Sequence, residues 1–210
     1  YPYKELSGCG VGFKLAQAYT EKFNLPKENL YPLLDLVAVS IAADIVPITG
    51  ENRVLAYAGL KRLNSEPRLA FQQLIPVNIK NNVNISNVVF SIAPKINAAG
   101  RIKHGSEAVR YMLSTDEEDC KKYLNDINSL NNERKLIDVD ITESALDQLN
   151  KINTTEKYST IVYDPTWNKG VIGIVASRLV DIYYKPTIVF TKNFEGEIVG
   201  SARSIQEFDI

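Results

Sequence analysis

Two short runs near the C-terminus hold the residues best suited to chemistry: Gly200-Ser201-Ala202-Arg203-Ser204 and Trp167-Asn168-Lys169-Gly170-Val171-Ile172-Gly173. Residues two apart in a strand share a face, so Ser201 and Arg203 are expected to point the same way. The second run follows a β-rich stretch, residues 158–163, and opens a helical pattern with small residues where the helix would start. Bare N–H groups at a helix N-terminus, a Ser hydroxyl and an Arg fork form a set suited to phosphate. The expected chemistry is phosphate or nucleic-acid binding. Plainer readings stand beside it. Ser201 and Arg203 also read as polar edge-strand residues, and Gly170 and Gly173 as helix-packing glycines. The small residues 200–202 favour the first reading, because a plain solvent edge has no need to remove bulk beside Arg203. Trp167 reads as core or as a base-stacking platform.

Asp44 follows the apolar run of residues 36–43. A carboxylate there is costly to bury unless paired, hydrogen-bonded or metal-bound. Asp35, nine residues earlier, falls on the opposite side of a helix and is not its same-face partner. Asp44 reads either as a local cap before Pro47 or as a ligand for Mn²⁺ or Mg²⁺, which favour carboxylate oxygen. Arg101 follows Asn97-Ala98-Ala99-Gly100. It meets a closely approaching backbone or ligand there, or it offsets the dipole of a helix that Gly100 caps. His104, the single histidine, reads as a surface loop residue. Gly8, Gly10 and Gly12 lack the dinucleotide-binding spacing and a preceding strand, and read as a tight turn with close helix packing.

Residues 1–113 read as mostly helical. Segments 10–23, 30–43, 51–63 and 106–113 are helices, and another has Pro67 in its first turn; the Asn-rich tract 78–87 has a loop's composition. Thr115-Asp116-Glu117-Glu118 reads as a capping box, and residues 115–150 contain no Pro or Gly. A mixed-charge helix of that length is expected to bridge two bodies rather than form the core of one. The period then switches: strand 159–163, helix 171–182, strand 187–191, turn 193–196, strand 197–202. The expected class is α/β, with a mostly helical part (1–114), a connecting helix (115–150) and a small α/β domain (151–210).

With 210 residues, 45% of them hydrophobic, the chain can bury a substantial core. A net charge of -1 excludes a protein coated in positive charge, so any nucleic-acid contact is a local groove. Cys9 and Cys120 have no metal-ligand spacing and fit a reduced, cytoplasmic chain better than a disulfide framework. The apolar runs fall short of the ~20 residues that span a bilayer, so no membrane partner is expected. The chain opens on Tyr1-Pro2-Tyr3 and reads as an excised piece of a longer protein.

Five segments together resemble the RecJ family, single-strand-specific 5′→3′ exonucleases of the DHH phosphoesterase superfamily. They are Leu6-Ser7-Gly8-Cys9-Gly10-Val11-Gly12-Phe13-Lys14, Ala43-Asp44-Ile45-Val46-Pro47, Ala93-Pro94-Lys95-Ile96-Asn97-Ala98-Ala99-Gly100-Arg101, residues 167–179, and Gly200 to Ser204 with Phe208-Asp209. The resemblance implies the C-terminal part of a DHH domain, a connecting helix and a DHHA1-type domain, with single-stranded DNA between the domains. It implies that Asp44 is a ligand of a catalytic Mn²⁺ or Mg²⁺ centre that activates water. It also implies that Arg101, Ser201 and Arg203, with Asn168, Gly170, Gly173 and Ser204, bind substrate phosphate. The Asp-His-His motif that names the superfamily is not in these residues, which implies that the chain alone is inactive. Asn168 stands where many relatives carry His; it can donate a hydrogen bond but not a proton. Two other readings stay open: a phosphodiesterase for short oligonucleotides or cyclic dinucleotides, and a non-catalytic nucleic-acid binding module.

Overall fold

A computed structural model describes residues 1–152 and 157–208. The chain forms two compact units, Tyr1–Ala99 with Gly105–Asn128, and Gly100–His104 with Ser129–Ile210.

The first unit is helical. Ser7 caps α1 (Gly8–Lys22), its Oγ accepting the Gly10 N–H at 3.2 Å. A 3₁₀ segment (Lys27–Leu33) containing Pro32 leads into α2 (Leu34–Ala43), where Val37, Ala38, Val39, Ile41 and Ala42 are buried. α3 (Gly50–Ser65) crosses α2 so closely that a Cβ on Gly59 would lie 2.2 Å from the Leu34 carbonyl oxygen. α4 (Leu69–Leu74), α5 (Ile85–Asn87), a π turn (Val88–Ile92), α6 (Ala93–Ile102) and α7 (Ser106–Leu113) follow. Asp35 is fully buried, and Arg68 encloses it: Nε lies 3.0 Å from both carboxylate oxygens and Nη2 2.7 Å from Oδ1. The Leu36 and Arg68 backbone N–H groups also donate to this carboxylate, so its lone pairs are satisfied.

α8 (Glu117–Asn150) runs through both units. Cys120 and Ile127 join the core of the first; Ile141, Ala145 and Leu149 join that of the second. In the second unit, β1 (Thr160–Tyr163) pairs in parallel with β2 (Thr187–Lys192) through the crossover helix α9 (Ile172–Tyr183). β3 (Ile198–Arg203) returns antiparallel to β2, giving the order β1-β2-β3. α9 buries Ile172, Val175, Ala176 and Leu179, the i, i+3, i+4, i+7 stripe of a helix lying on a sheet. The α/β class holds, with helices dominating and a single small sheet.

Several expectations change. Residues 30–33 are 3₁₀ rather than α, because Pro32 has no N–H to donate to an α-helical ladder. Pro67 precedes α4 instead of lying in its first turn. The N-cap of α8 is Asp116, not Thr115: Asp116 Oδ1 accepts from the Glu118 and Asp119 N–H groups at 2.9 and 3.0 Å. α8 is not merely a connector, since its buried stripe belongs to both cores. Gly8, Gly10 and Gly12 lie inside α1, and a Cβ on Gly8 or Gly12 would meet nothing within 4 Å. The C-cap reading of Gly100 fails because α6 continues through it to Ile102. Asp44 is exposed rather than buried: α2 ends at Ala43, and the chain turns away at Ile45 with φ 52°.

Candidate phosphate-binding site

The start of α9 and the end of β3 build one cluster in the second unit. Register pairs Thr187 with Arg203 and Val189 with Ser201, so both residues project from one face of β3. Arg203 Nη1 lies 3.2 Å from Ser201 Oγ, donating to it, and 2.6 Å from the Ala202 carbonyl. Beneath them is Gly173 in the first turn of α9. A Cβ there would stand 3.0 Å from Ser201 Oγ and 3.2 Å from Arg203 Nη2. No hydrogen bond is formed by the Gly173 N–H among the described residues. A helix N-terminus, a hydroxyl and a guanidinium thus converge where only a residue without a side chain fits.

Asn168 shapes this start of the helix. Its Oδ1 accepts the Gly170 N–H at 2.8 Å, and its carbonyl accepts from Val171 and Ile172 at 3.0 and 3.2 Å. Its part here is to form the turn. Thr191 Oγ1 donates to the Trp167 carbonyl at 2.7 Å, tying the same loop to β2. Trp167 is buried in the second core, which favours packing over stacking.

Gly170 brings in Arg101. A Cβ on Gly170 would lie 2.1 Å from the Arg101 carbonyl oxygen, and Arg101 Nη1 donates to the Gly170 carbonyl at 3.1 Å. Burial first, then the nearby cations Arg134 and Arg203, holds the Arg101 guanidinium below the ordinary arginine value. Arginine stays charged at neutral pH regardless, so these cations act together on an anion. Arg134 was not singled out by sequence. Its only signal is the i, i+4 spacing to Asp138 on α8, where the side chains lie 3.8 Å apart. Asp138 is also 2.7 Å from Arg178 of α9, an ion pair between α8 and α9 that sequence reasoning missed.

The structure therefore brings together Arg101, Asn168, Gly170, Gly173, Ser201 and Arg203. Ser204 stands apart, its hydroxyl donating to the Phe208 carbonyl. Asp209 lies outside the described residues. His104 is an exposed loop residue. Asp44 belongs to the first unit, where the Ser40 hydroxyl donates to its Oδ2 at 3.1 Å. No three metal-ligating side chains cluster among the described residues. No helix among the described residues is long and apolar enough to cross a membrane.

Residues 155–210 match the DHHA1 domain. Along its whole length the chain is 39% identical to the single-stranded-DNA-specific exonuclease RecJ of Bacillus subtilis. The chain matches a segment of the RecJ exonucleases along its whole length. The RecJ relative from Haemophilus influenzae is 36% identical over 98% of the chain. The chain spans 26% of the length of the first relative and 38% of the second. The crystal structure of RecJ from Thermus thermophilus in complex with Mg²⁺ matches with a TM-score of 0.86 at 28% identity, covering 100% of this chain and 32% of that one. A manganese-bound exonuclease RecJ matches with 0.80 at 28% identity, over 99% of this chain and 51% of that one.

Proposed function

We propose that this chain is the substrate-holding part of a metal-dependent, single-strand-specific 5′→3′ DNA exonuclease of the DHH superfamily. The observation that carries the reading is the packing of Ser201 and Arg203 directly on Gly173 at the start of α9. That arrangement suits a phosphate oxygen, which accepts from the N–H, the hydroxyl and the guanidinium at once. The names of the relatives, single-stranded-DNA-specific exonucleases, supply the substrate class. RecJ structures with Mg²⁺ and Mn²⁺ supply the candidate metals.

Arg101, Ser201 and Arg203 bind and orient the phosphate; Gly170 and Gly173 allow the backbone to come close enough; Asn168 shapes the turn. Asp44 would offer one carboxylate to the metal centre, and the metal would supply activation of water against the phosphodiester. The remaining ligands are not among these residues, so the isolated 210-residue chain is expected to be inactive. A reduced, cytoplasmic location and a role in DNA repair and recombination go with this reading.

The test is nucleotide release from 5′-labelled single-stranded and duplex DNA by the full-length protein with Mn²⁺, with Mg²⁺ or with chelator. Release from single strands only, and only with metal, is expected. Equal degradation of duplex, or release of nucleotides by the isolated 210 residues, overturns the reading.

A further inference from the structure

The second unit also carries a cleft of about 660 Å³ lined by Arg101, Lys103, Lys169 and Lys192, with no acidic residue in its lining. None of the four cations forms an ion pair among the described residues. In a chain of net charge -1, four cations around one hollow raise the local potential and repel one another until an anion enters. Phe194 stands in the same lining, at the turn between β2 and β3, with its side chain fully exposed. That turn is well fixed. Asn193 Oδ1 accepts from the Glu195 and Glu197 N–H groups at 3.0 and 2.9 Å, the Gly196 N–H donates to the Asn193 carbonyl at 3.0 Å, and Gly196 takes φ 83°. The Asn193 side chain and the backbone hold this turn without help from the Phe194 ring, and the fixed backbone presents that ring at little cost in entropy.

We infer that this cleft is an additional subsite for single-stranded nucleic acid. Phe194 stacks one unpaired base, and Lys103, Lys169 and Lys192 hold the flanking phosphates. An aromatic face beside several cations matches a nucleotide, which brings a π surface and a charge in each unit. An acidic polypeptide brings charge without the ring. Arg101 lines the cleft and also touches Gly170, so the subsite adjoins the phosphate cluster. The inference rests on the single-stranded-DNA reading and adds a base-recognising position to it.

The experiment measures affinity of the full-length protein, in chelator to prevent turnover, for 5′-phosphorylated oligothymidylates of increasing length. Phe194→Ala is expected to weaken the longer oligonucleotides by about 5- to 150-fold, the loss of one base–aromatic stack. Phe194→Tyr should retain affinity. One abasic position in the oligonucleotide should reproduce the Phe194→Ala loss, and combining the two should add nothing further. Replacing Lys103, Lys169 and Lys192 by Gln should lower the salt slope by about 0.7 for each phosphate contact removed. If Phe194→Ala binds normally while Arg203→Ala binds weakly, the cleft is no subsite and the phosphate cluster stands. If both bind normally, the phosphate reading itself falls. If the Lys variants lose only competition by polyglutamate and keep DNA affinity, the cleft serves an acidic protein and the inference is overturned.

Discussion

A Cβ on Gly170 would stand 2.1 Å from the Arg101 carbonyl oxygen, and Arg101 Nη1 returns a hydrogen bond to the Gly170 carbonyl at 3.1 Å. Two segments 69 residues apart in sequence are thus joined by close backbone approach and by one side-chain-to-backbone hydrogen bond. The contact sets where the Arg101 guanidinium lies relative to Ser201 and Arg203.

Gly170→Ala and Gly173→Ala should separate packing from binding. At Gly170 the new methyl meets backbone that cannot yield, so stability should fall by roughly 1–3 kcal/mol and DNA affinity with it. At Gly173 the neighbours are the ends of Ser201 and Arg203, which can move, and Ala favours a helix over Gly by about 1 kcal/mol at most. Gly173→Ala should therefore keep or raise stability while weakening DNA binding. Urea unfolding and DNA titration on both variants give the comparison. Lost stability in Gly173→Ala with intact binding would make that glycine structural.

Arg203→Ala removes a charge-assisted contact of roughly 1.5–3 kcal/mol, which weakens single-stranded DNA binding about 10- to 150-fold. Arg203→Lys should restore part, because an ammonium keeps the charge but not the planar fork. The slope of log affinity against log salt should fall by about 0.7. The guanidinium is exposed, so melting temperature should barely move. Affinity across a salt series decides the matter; unchanged affinity and slope would return Arg203 to an ordinary edge-strand role.

Asp44→Ala in the full-length protein should abolish nucleotide release while leaving single-stranded DNA binding and the unfolding midpoint nearly unchanged. The exposed carboxylate takes one hydrogen bond, from Ser40, so its loss costs the fold about 1 kcal/mol at most. Normal turnover would leave Asp44 as a local cap.

Asp35→Ala should be the most damaging single change in the helical unit. It strands the Arg68 guanidinium, and breaking such a buried pair costs on the order of 3–5 kcal/mol. Asp35→Ala combined with Arg68→Met should recover much of that loss, because no charge is then left without its partner. The four unfolding free energies of this cycle measure the coupling, and simple additivity would show that the pair contributes nothing.

Alkaline stability follows from Tyr111 and Cys120. Burial pushes both the Tyr111 phenol and the Cys120 thiol up, and Tyr111 also donates to the Ala70 carbonyl at 2.6 Å. Each group is neutral when protonated, and its folded pKa lies above its unfolded value. The folded state therefore holds these protons more tightly. Stability is complete below the unfolded values, about 8.5 for Cys and 10 for Tyr, and is lost as pH rises past them. Tyr111→Phe and Cys120→Ala should each flatten the fall in urea midpoint between neutral and alkaline pH. An equal slope in all three proteins would locate the alkaline sensitivity elsewhere.

Local pattern carried far in this chain. The i, i+3, i+4, i+7 stripe of α9, the strands on either side of it and the alternation placing Ser201 beside Arg203 were all legible, because period depends only on neighbouring residues. The RecJ resemblance was legible for a related reason: short runs such as Asn97 to Arg101 and Gly200 to Ser204 keep their residue types wherever they fold. What sequence could not decide was every question of approach between distant segments. Asp44 follows a largely apolar run yet is exposed, because the helix ends one residue before it. Asp35, whose partner the sequence did not indicate, finds Arg68 33 residues away. The glycines show the division most clearly. Gly8 and Gly12 meet open space, whereas Gly170 and Gly173 admit Arg101, Ser201 and Arg203. Composition is the same at all four positions. Only the tertiary fold determines which backbone has another atom within reach, since van der Waals contact acts over a few ångströms and sequence separation says nothing about distance.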